Sequence, residues 1–118
     1  MSEVTIYHNP RCSNSRGALA VATEHGVEPE VVRYLEQRPD AETLRQLLAR
    51  LEDPVEDLVR KDARFTELGL DPHDYVDRPD AVVDLLVEHP ELMQRPVLVR
   101  GERAIIGRPR ERVVEFLA

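Results

Sequence analysis

Cysteine, lysine and tryptophan are almost absent from this sequence of 118 residues, which has one cysteine (Cys12), one lysine (Lys61) and no tryptophan. A single cysteine cannot form a disulfide within the chain, so we expect a reducing, cytoplasmic location. No apolar run is long enough to cross a bilayer, and the first residues predict no secretory signal peptide. The formal net charge of −7 argues against binding to nucleic acid or to an anionic membrane.

Metal binding and internal redox exchange are not indicated either. Zinc sites need several clustered cysteine or histidine ligands, whereas the four histidines are scattered at positions 8, 25, 73 and 89. Ser15 occupies the second cysteine position of a Cys-x-x-Cys motif, which excludes exchange between two thiols of the chain. A phosphatase loop of the form Cys-x5-Arg would need arginine where Ala18 stands. We therefore expect neither a metal site nor a bound cofactor.

The N-terminal third of the chain has the pattern of a strand–helix–strand unit. Val4–Tyr7 is a short apolar strand, and apolar residues recur at helical spacing from Ser13 onward. His25–Gly26 is typical of a helix end, and Val31–Leu35 predicts the second strand. The two strands should be parallel, with a right-handed crossover. Ligands of such sheets bind beyond the carboxyl ends of the strands, which is where Cys12 lies.

The middle of the chain, from about residue 40 to about residue 90, predicts a helical insertion. Helical signals occur after the N-cap residue Asp40, again from Asp53–Pro54, over Arg64–Leu68 and over Ala81–Glu88. Four helical segments are more than a plain strand–helix–strand protein needs. The pattern therefore favours an insertion between the second and third strands.

Two further strands and a final helix complete the predicted fold. Pro96–Val99 and Arg103–Ile106 are apolar segments joined by a tight turn, so they should pair in antiparallel fashion. The last helix should bury four apolar residues, Val113, Val114, Phe116 and Leu117. No linker or repeat divides the chain, so residues 1–118 predict one domain of the α/β (α+β) class with a small mixed four-stranded sheet.

Cys12 lies where the first strand ends and the first helix is about to begin. Unpaired N–H groups and the helix dipole favour an anion at this end of a helix, so they should stabilise a thiolate. The flanking Arg11 and Arg16 should lower the thiol pKa further. A lone cysteine is often only a small buried apolar residue, but the polar neighbours of Cys12 argue against that interpretation. We therefore identify Cys12 as a candidate nucleophile.

A thiolate that attacks an oxyanion needs cationic partners, and the planar fork of arginine binds oxyanions better than lysine does. Three arginines stand at the ends of predicted elements: Arg60, Arg95 and Arg108. Spacing alone does not bring these three together. Arginine supplies all but one of the sixteen lysine and arginine residues, so most arginines must be ordinary surface charges.

Four separated motifs resemble the glutaredoxin-dependent arsenate reductase family over nearly the whole chain. They are Ile6–Arg16, Leu58–Lys61, His89–Pro90 followed by Arg95–Pro96, and Gly107–Pro109. The resemblance implies a thioredoxin-like fold with a helical insertion, which agrees with the order of elements predicted above. It also implies that Pro96 is a cis proline that precedes the third strand and packs against the cysteine loop.

The resemblance further implies roles for individual residues. Cys12 is the nucleophile, and three arginines hold the oxyanion and its cysteine adduct: Arg60, Arg95 and Arg108. Supporting positions are His8, Ser15, Arg16 and Pro96. Of these, His8 is expected to help keep the thiol ionised, and Ser15 to hydrogen-bond the thiolate.

The implied reaction needs no metal and no bound cofactor. Cys12 attacks arsenate, glutathione as co-substrate attacks the adduct, and glutaredoxin resolves the intermediate with release of arsenite. The expected partners are thus arsenate or a similar oxyanion, glutathione and glutaredoxin. A single cysteine fits this scheme independently, because every other reducing thiol must then come from outside the chain.

Two other classes of function share this fold. One is a transcriptional regulator that binds RNA polymerase, although such proteins usually carry the Cys-x-x-Cys switch that Ser15 excludes here. The other is a general monothiol oxidoreductase that exchanges with glutathione and does not use arsenate. The carboxylates of glutathione could also occupy the arginines, so the arginines alone do not decide between the two enzyme classes.

Overall fold

The computed structural model describes residues 3–118, and its centre is a four-stranded sheet. The strands are β1 (Val4–His8), β2 (Glu30–Arg33), β3 (Val97–Arg100) and β4 (Arg103–Ile106). Their order in the sheet is β2-β1-β3-β4, with β1 parallel to β2 and antiparallel to β3, and β3 antiparallel to β4. The carboxyl end of β1 therefore lies beside the beginning of β3, which places the residues that follow His8 close to those that precede Val97.

In the described part of the chain, five α-helices surround the sheet: α1 (Ser13–Glu24), α2 (Ala41–Arg50), α3 (Ala63–Glu67), α4 (Pro79–Glu88) and α5 (Arg110–Leu117). Short 3-10 helices cover Val55–Leu58, Pro72–Tyr75 and Pro90–Leu92. Asp40 caps α2 as predicted, because its side chain accepts from the N–H of Thr43. None of the helices within residues 3–118 is long and apolar enough to span a membrane.

Alternate strand residues face opposite sides of the sheet, so the apolar core has two layers. Ile6 packs in one layer with Val21 of α1 and Phe116 of α5. Its neighbour Tyr7 belongs to the other layer, which contains the apolar faces of α2 and α4. The helical insertion thus covers one face of the sheet, while the first and last helices cover the other.

The predicted fold class is confirmed: the chain has a mixed four-stranded sheet of the thioredoxin-like type, with its helical insertion between β2 and β3. The predicted extent of the second strand is wrong at its end. Leu35 lies in a turn, because the N–H groups of Glu36 and Gln37 both donate to the carbonyl oxygen of Arg33. Val114 is also misplaced by the prediction, since it is 39% exposed on the outer face of α5.

The insertion is tied to the start of β3 by backbone hydrogen bonds. The N–H of Arg60 donates to the carbonyl oxygen of Leu92 at 2.7 Å, and the N–H of Gln94 donates to that of Leu58 at 2.7 Å. Val59 and Met93 form an antiparallel bridge between these two bonds. This pairing fixes Arg60 next to the segment that leads into Arg95.

Candidate active site

Cys12 is the N-cap residue of α1 and is 8% exposed. Its N–H donates to the carbonyl oxygen of Asn9 at 3.0 Å, which closes a tight turn after β1. The side-chain oxygen of Asn9 accepts from the N–H of Arg11 at 3.0 Å. The thiol lies at the N-terminus of the helix, where the backbone N–H groups of Asn14 and Ser15 lower its pKa although the sulfur forms no capping hydrogen bond with them.

The pKa of the Cys12 thiol is lowered to about 7. Burial raises this pKa, but four interactions together outweigh burial: the Ser15 N–H, a hydrogen bond from Arg95, the Asn14 N–H and the charge of Arg108. A large share of Cys12 is therefore thiolate at neutral pH. The expectation that Arg11 and Arg16 lower this pKa is not met, since the arginines that act on the sulfur are Arg95 and Arg108.

Arg108 connects the cysteine to the segment before β3. Its Nη2 lies 3.3 Å from Cys12 Sγ, and its Nε donates to the carbonyl oxygen of Arg95 at 2.7 Å. Gly107 allows this approach, because a Cβ at that position would lie 2.7 Å from the side chain of Leu98 and 2.9 Å from that of Pro96. The guanidinium of Arg108 is thereby directed at the sulfur from the end of β4.

Arg95, which precedes β3, also acts on the thiol. The Arg95–Pro96 bond is cis, which confirms the prediction for Pro96, and Arg108–Pro109 is a second cis bond that was not predicted. The Arg95 guanidinium lowers the pKa of the Cys12 thiol and also that of the buried Tyr34 hydroxyl, although burial raises the Tyr34 pKa overall. Within residues 3–118 its Nε is buried without a hydrogen-bond partner, so this N–H is free to donate to an oxygen of a ligand beside the thiol.

Arg60 lies near Arg95 and Arg108, but among residues 3–118 it forms no hydrogen bond with the Cys12 sulfur. Its Nη1 forms an ion pair with Asp62 Oδ2 at 3.2 Å, and its charge acts on Tyr34 together with that of Arg95. Arg60 and Arg108 both line a groove of about 360 Å³, here called the basic groove. Its charged residues are Asp53, Asp57, Arg60, Lys61, Arg108 and Arg112.

The predicted supporting residues mostly hold the cysteine loop. Ser15 is fully buried, and its Oγ accepts from the N–H of Asn9 at 3.3 Å, while its backbone N–H, rather than its hydroxyl, lowers the pKa of the thiol. Arg16 Nη1 donates to the carbonyl oxygen of Pro10 at 2.9 Å. These bonds join the start of α1 to the end of β1.

His8 is 4% exposed, and its Nδ1 has no hydrogen-bond partner among the described residues. Burial lowers the pKa of His8, and the charges of Arg33 and Arg16 lower it further. The imidazole is therefore neutral at pH 7 and supplies no positive charge to the thiol. The lowered thiol pKa comes from Arg95, Arg108 and the helix N-terminus instead.

Tyr34 is a site residue that the sequence analysis assigned only to a strand. It is fully buried, and its hydroxyl donates to the carbonyl oxygen of Met93 at 3.4 Å and interacts with Asn9 and Arg95. Its position just after β2 was the available signal, because β2 ends at the same edge of the sheet as β1.

Arg112 carried no such signal and looks like a surface arginine in the sequence. Its Nη1 donates to Asp53 Oδ1 at 2.7 Å and to the carbonyl oxygen of Ile106 at 2.9 Å. Asp53 Oδ2 in turn accepts from the N–H of Ile106 at 2.9 Å. Arg112 is thus part of a wall of the basic groove and not a free surface charge.

No cluster of histidine, cysteine and carboxylate side chains within residues 3–118 could hold a metal ion. The arrangement instead provides an acidic thiol beside two guanidinium groups. Such a site can carry out nucleophilic attack on an oxyanion, because the cations offset the charge of both reactants.

Comparison with known proteins identifies the family to which the chain belongs. The family model described as "ArsC family" matches residues 7–116. The chain belongs to the ArsC family. The sequence-based assignment to the arsenate reductase family is therefore confirmed.

Relatives of this ArsC family protein align over almost the entire chain. It is 45% identical over 117 residues to an uncharacterized Escherichia coli K12 protein, YfgD, covering 98% of this chain and 97% of that protein. It is 39% identical over 119 residues to an arsenate reductase of Neisseria meningitidis, covering 99% of this chain and all of the relative. The structure of an arsenate reductase from Vibrio cholerae superposes with a TM-score of 0.83 at 40% identity, covering 95% of each chain.

Proposed function

We propose that this protein is an arsenate reductase in which the Cys12 thiolate attacks arsenate. The observation that carries the proposal is a thiol of lowered pKa beside two arginines: Arg108 Nη2 lies 3.3 Å from Sγ, and the guanidinium of Arg95 also lowers the thiol pKa. A thiolate repels an oxyanion unless cations offset both charges. The arrangement supplies those cations at the point of attack.

In the first step, Cys12 Sγ forms a bond to arsenic and an arsenic–oxygen bond breaks. The leaving oxygen takes up protons and departs as water, so arsenic is still As(V) in the adduct. Arg95 and Arg108 donate hydrogen bonds to the remaining oxygens, and the unpaired Nε of Arg95 is one available donor. Arg60 adds positive charge at the rim, moderated by its ion pair with Asp62.

In the following steps two external thiols supply the electrons. A glutathione thiolate replaces a second oxygen, which again leaves as water. A glutaredoxin thiolate then attacks the glutathione sulfur, and the electron pair of the sulfur–arsenic bond passes to arsenic, which becomes As(III). Hydrolysis of the Cys12–arsenic bond releases arsenite. With Ser15 in place of a second cysteine, this chain has no internal thiol to take over that role.

Glutathione and glutaredoxin are thus the proposed co-substrate and partner, and the reducing cytoplasm is the proposed location. The site takes Cys12 from the start of the chain, Arg60 from the insertion and Arg95 and Arg108 from the C-terminal third. This distribution supports the proposal that the chain works as a single domain, because none of these segments contains the site alone.

A coupled assay tests the function directly. NADPH oxidation is followed with arsenate, glutathione, glutaredoxin and glutathione reductase, and each component is omitted in turn. We expect oxidation only when all are present. Turnover with thioredoxin alone would contradict the proposed resolving step. No arsenate-dependent oxidation would contradict the reductase function and favour a regulator or a general monothiol oxidoreductase.

A further inference from the structure

The basic groove is larger than an oxyanion such as arsenate requires. Its volume of about 360 Å³ is at the lower end of the range for small-molecule sites, roughly 300–1,000 Å³. Four of its charged side chains are cationic and two are carboxylates, which gives a net charge of +2 in a chain whose net charge is −7. A cationic groove of this size is suited to an organic ligand that carries more than one carboxylate.

The basic groove adjoins the thiol through Arg108. This residue lines the groove and also places Nη2 3.3 Å from Cys12 Sγ. Cys12 itself does not line the groove. A ligand in the groove can therefore extend past Arg108 to a group attached to the sulfur, while the rest of the ligand stays away from the site of attack.

The outer wall of the groove is held by hydrogen bonds and is still able to donate hydrogen bonds to a ligand. Asp53 accepts from Arg112 at 2.7 Å and from the N–H of Ile106 at 2.9 Å, so its charge is already partnered. Both recorded bonds of Arg112 use Nη1, so its second terminal nitrogen is able to donate to a ligand. Lys61, exposed on the facing segment, donates to the carbonyl oxygen of Glu56 and has two further ammonium protons.

We propose that the basic groove binds glutathione for its attack on the Cys12 adduct, with Lys61 and Arg112 holding its carboxylates. This inference rests on the proposed arsenate chemistry. Glutathione carries two carboxylates and one ammonium group, and these are opposite in charge to Lys61, Arg112 and the exposed Asp57, respectively. Its thiolate forms a bond to arsenic while an arsenic–oxygen bond breaks and the oxygen leaves as water. No electron changes hands in that step.

The test compares two thiols on one preformed adduct. Cys12–arsenate adduct is formed without reductant, and its breakdown is followed in single turnover with glutathione or with 2-mercaptoethanol, which has no carboxylate. The measured quantity is the ratio of the two rate constants. In Lys61→Ala and Arg112→Ala we expect that ratio to fall about fivefold, the upper end of the effect of an exposed charge pair. Arg45→Ala, exposed on α2 beside Glu42, is the matched control and should keep the wild-type ratio.

The outcomes test glutathione binding in the groove separately from the reductase chemistry. An unchanged ratio in Lys61→Ala would overturn the proposal, as would equal slowing with both thiols. Thermal melting identifies any Arg112 variant that has lost its fold, and Lys61→Ala, on an exposed side chain, remains decisive in that case. Binding of S-methylglutathione, measured by calorimetry, needs no arsenate. If no adduct forms, the reductase function fails, and loss of S-methylglutathione binding in Lys61→Ala still decides whether the groove is a glutathione site.

Discussion

The two halves of the candidate site are built in different ways. The cysteine loop, residues 9–16, is held by bonds between residues at most six positions apart, such as Asn9 to Ser15 and Pro10 to Arg16. The arginine half depends on contacts across 13 and 96 positions, from Arg108 to Arg95 and from Arg108 to Cys12. A local half orients the nucleophile, and a long-range half supplies the charge that makes the nucleophile useful.

The first prediction concerns loss of the nucleophile in the local half. Cys12→Ser should abolish adduct formation with arsenate and lower turnover on the order of 10⁴-fold or more, because an alcohol with an ordinary pKa is a far weaker nucleophile than a thiolate. Mass spectrometry of the intact protein after incubation with arsenate checks the adduct. Arg45→Ala should form it normally. An adduct on the serine variant would show that the nucleophile lies elsewhere.

The second prediction removes the long-range half one residue at a time. Arg95→Ala and Arg108→Ala should each lower kcat/KM by about 10²- to 10³-fold, as for loss of a group that stabilises charge in a transition state. Arg60→Ala should cost less, about tenfold, because Asp62 already partners its charge at 3.2 Å. Steady-state kinetics with varied arsenate measures all three.

Lysine at positions 95 and 108 should recover only part of the loss, since a point charge cannot donate two parallel hydrogen bonds. Arg45→Ala is the control, on a side chain that is 56% exposed. If the control loses as much activity as Arg95→Ala and Arg108→Ala, overall charge rather than a built site would explain the effect, and the distinction between the two halves would be lost.

The sequence predicts the local half of the site better than the long-range half. The strand–turn–helix around Cys12 and the N-cap at Asp40 were predicted correctly, because each depends on residues within one turn of the chain. The convergence of Arg95 and Arg108 on the thiol could not be derived from spacing. It depends on the antiparallel β3–β4 pairing that brings the two strand ends together, and only the family resemblance pointed to these residues.

The errors have the same origin. Arg11 and Arg16 adjoin Cys12 in the chain, yet the arginines that act on its sulfur come from the ends of β3 and β4. Arg112 looks like a surface charge until the fold brings Asp53 within 2.7 Å. Adjacency in sequence is therefore a poor guide to electrostatics in this protein, because long arginine side chains reach across elements.

The third prediction concerns the free energy of unfolding, to which both halves of the site contribute through the Cys12 thiolate. The folded pKa of Cys12, about 7, lies below its ordinary value of 9.0, so the folded state binds fewer protons than the unfolded state between these values. The stability that the thiolate adds is thus fully present above about pH 9 and is lost as the pH falls through about 7. Relative to Cys12→Ser, the wild type should gain up to about 2–3 kcal/mol across that window.

Urea unfolding of the two proteins from about pH 6 to about pH 9.5 provides the measurement. Taking the difference between wild type and Cys12→Ser cancels the titration of all other groups that the substitution does not affect. A difference that stays constant over this range would mean that the thiol is not ionised preferentially in the folded protein, in conflict with both halves of the site.

The fourth prediction separates neighbours in space from neighbours in sequence. Arg108→Ala should raise the pKa of Cys12 by about one unit, because a cation 3.3 Å from Sγ is lost. Arg11→Ala should leave it unchanged. Ultraviolet thiolate absorbance against pH reports both values. A larger effect at Arg11 than at Arg108 would reverse the assignment of the charge to the long-range half.

The smallest effect is expected at Ser15, within the cysteine loop. Its backbone N–H, which survives in Ser15→Ala, is the group that lowers the Cys12 pKa, whereas its Oγ accepts from the N–H of Asn9 at 3.3 Å. The thiol pKa should therefore move by less than about half a unit. Stability should fall by about 1–2 kcal/mol, because the buried Asn9 N–H loses its acceptor. A pKa rise of a full unit in the thiolate titration would show instead that the serine hydroxyl donates to the sulfur, and that the local half stabilises the thiolate through a side chain as well as through the helix N-terminus.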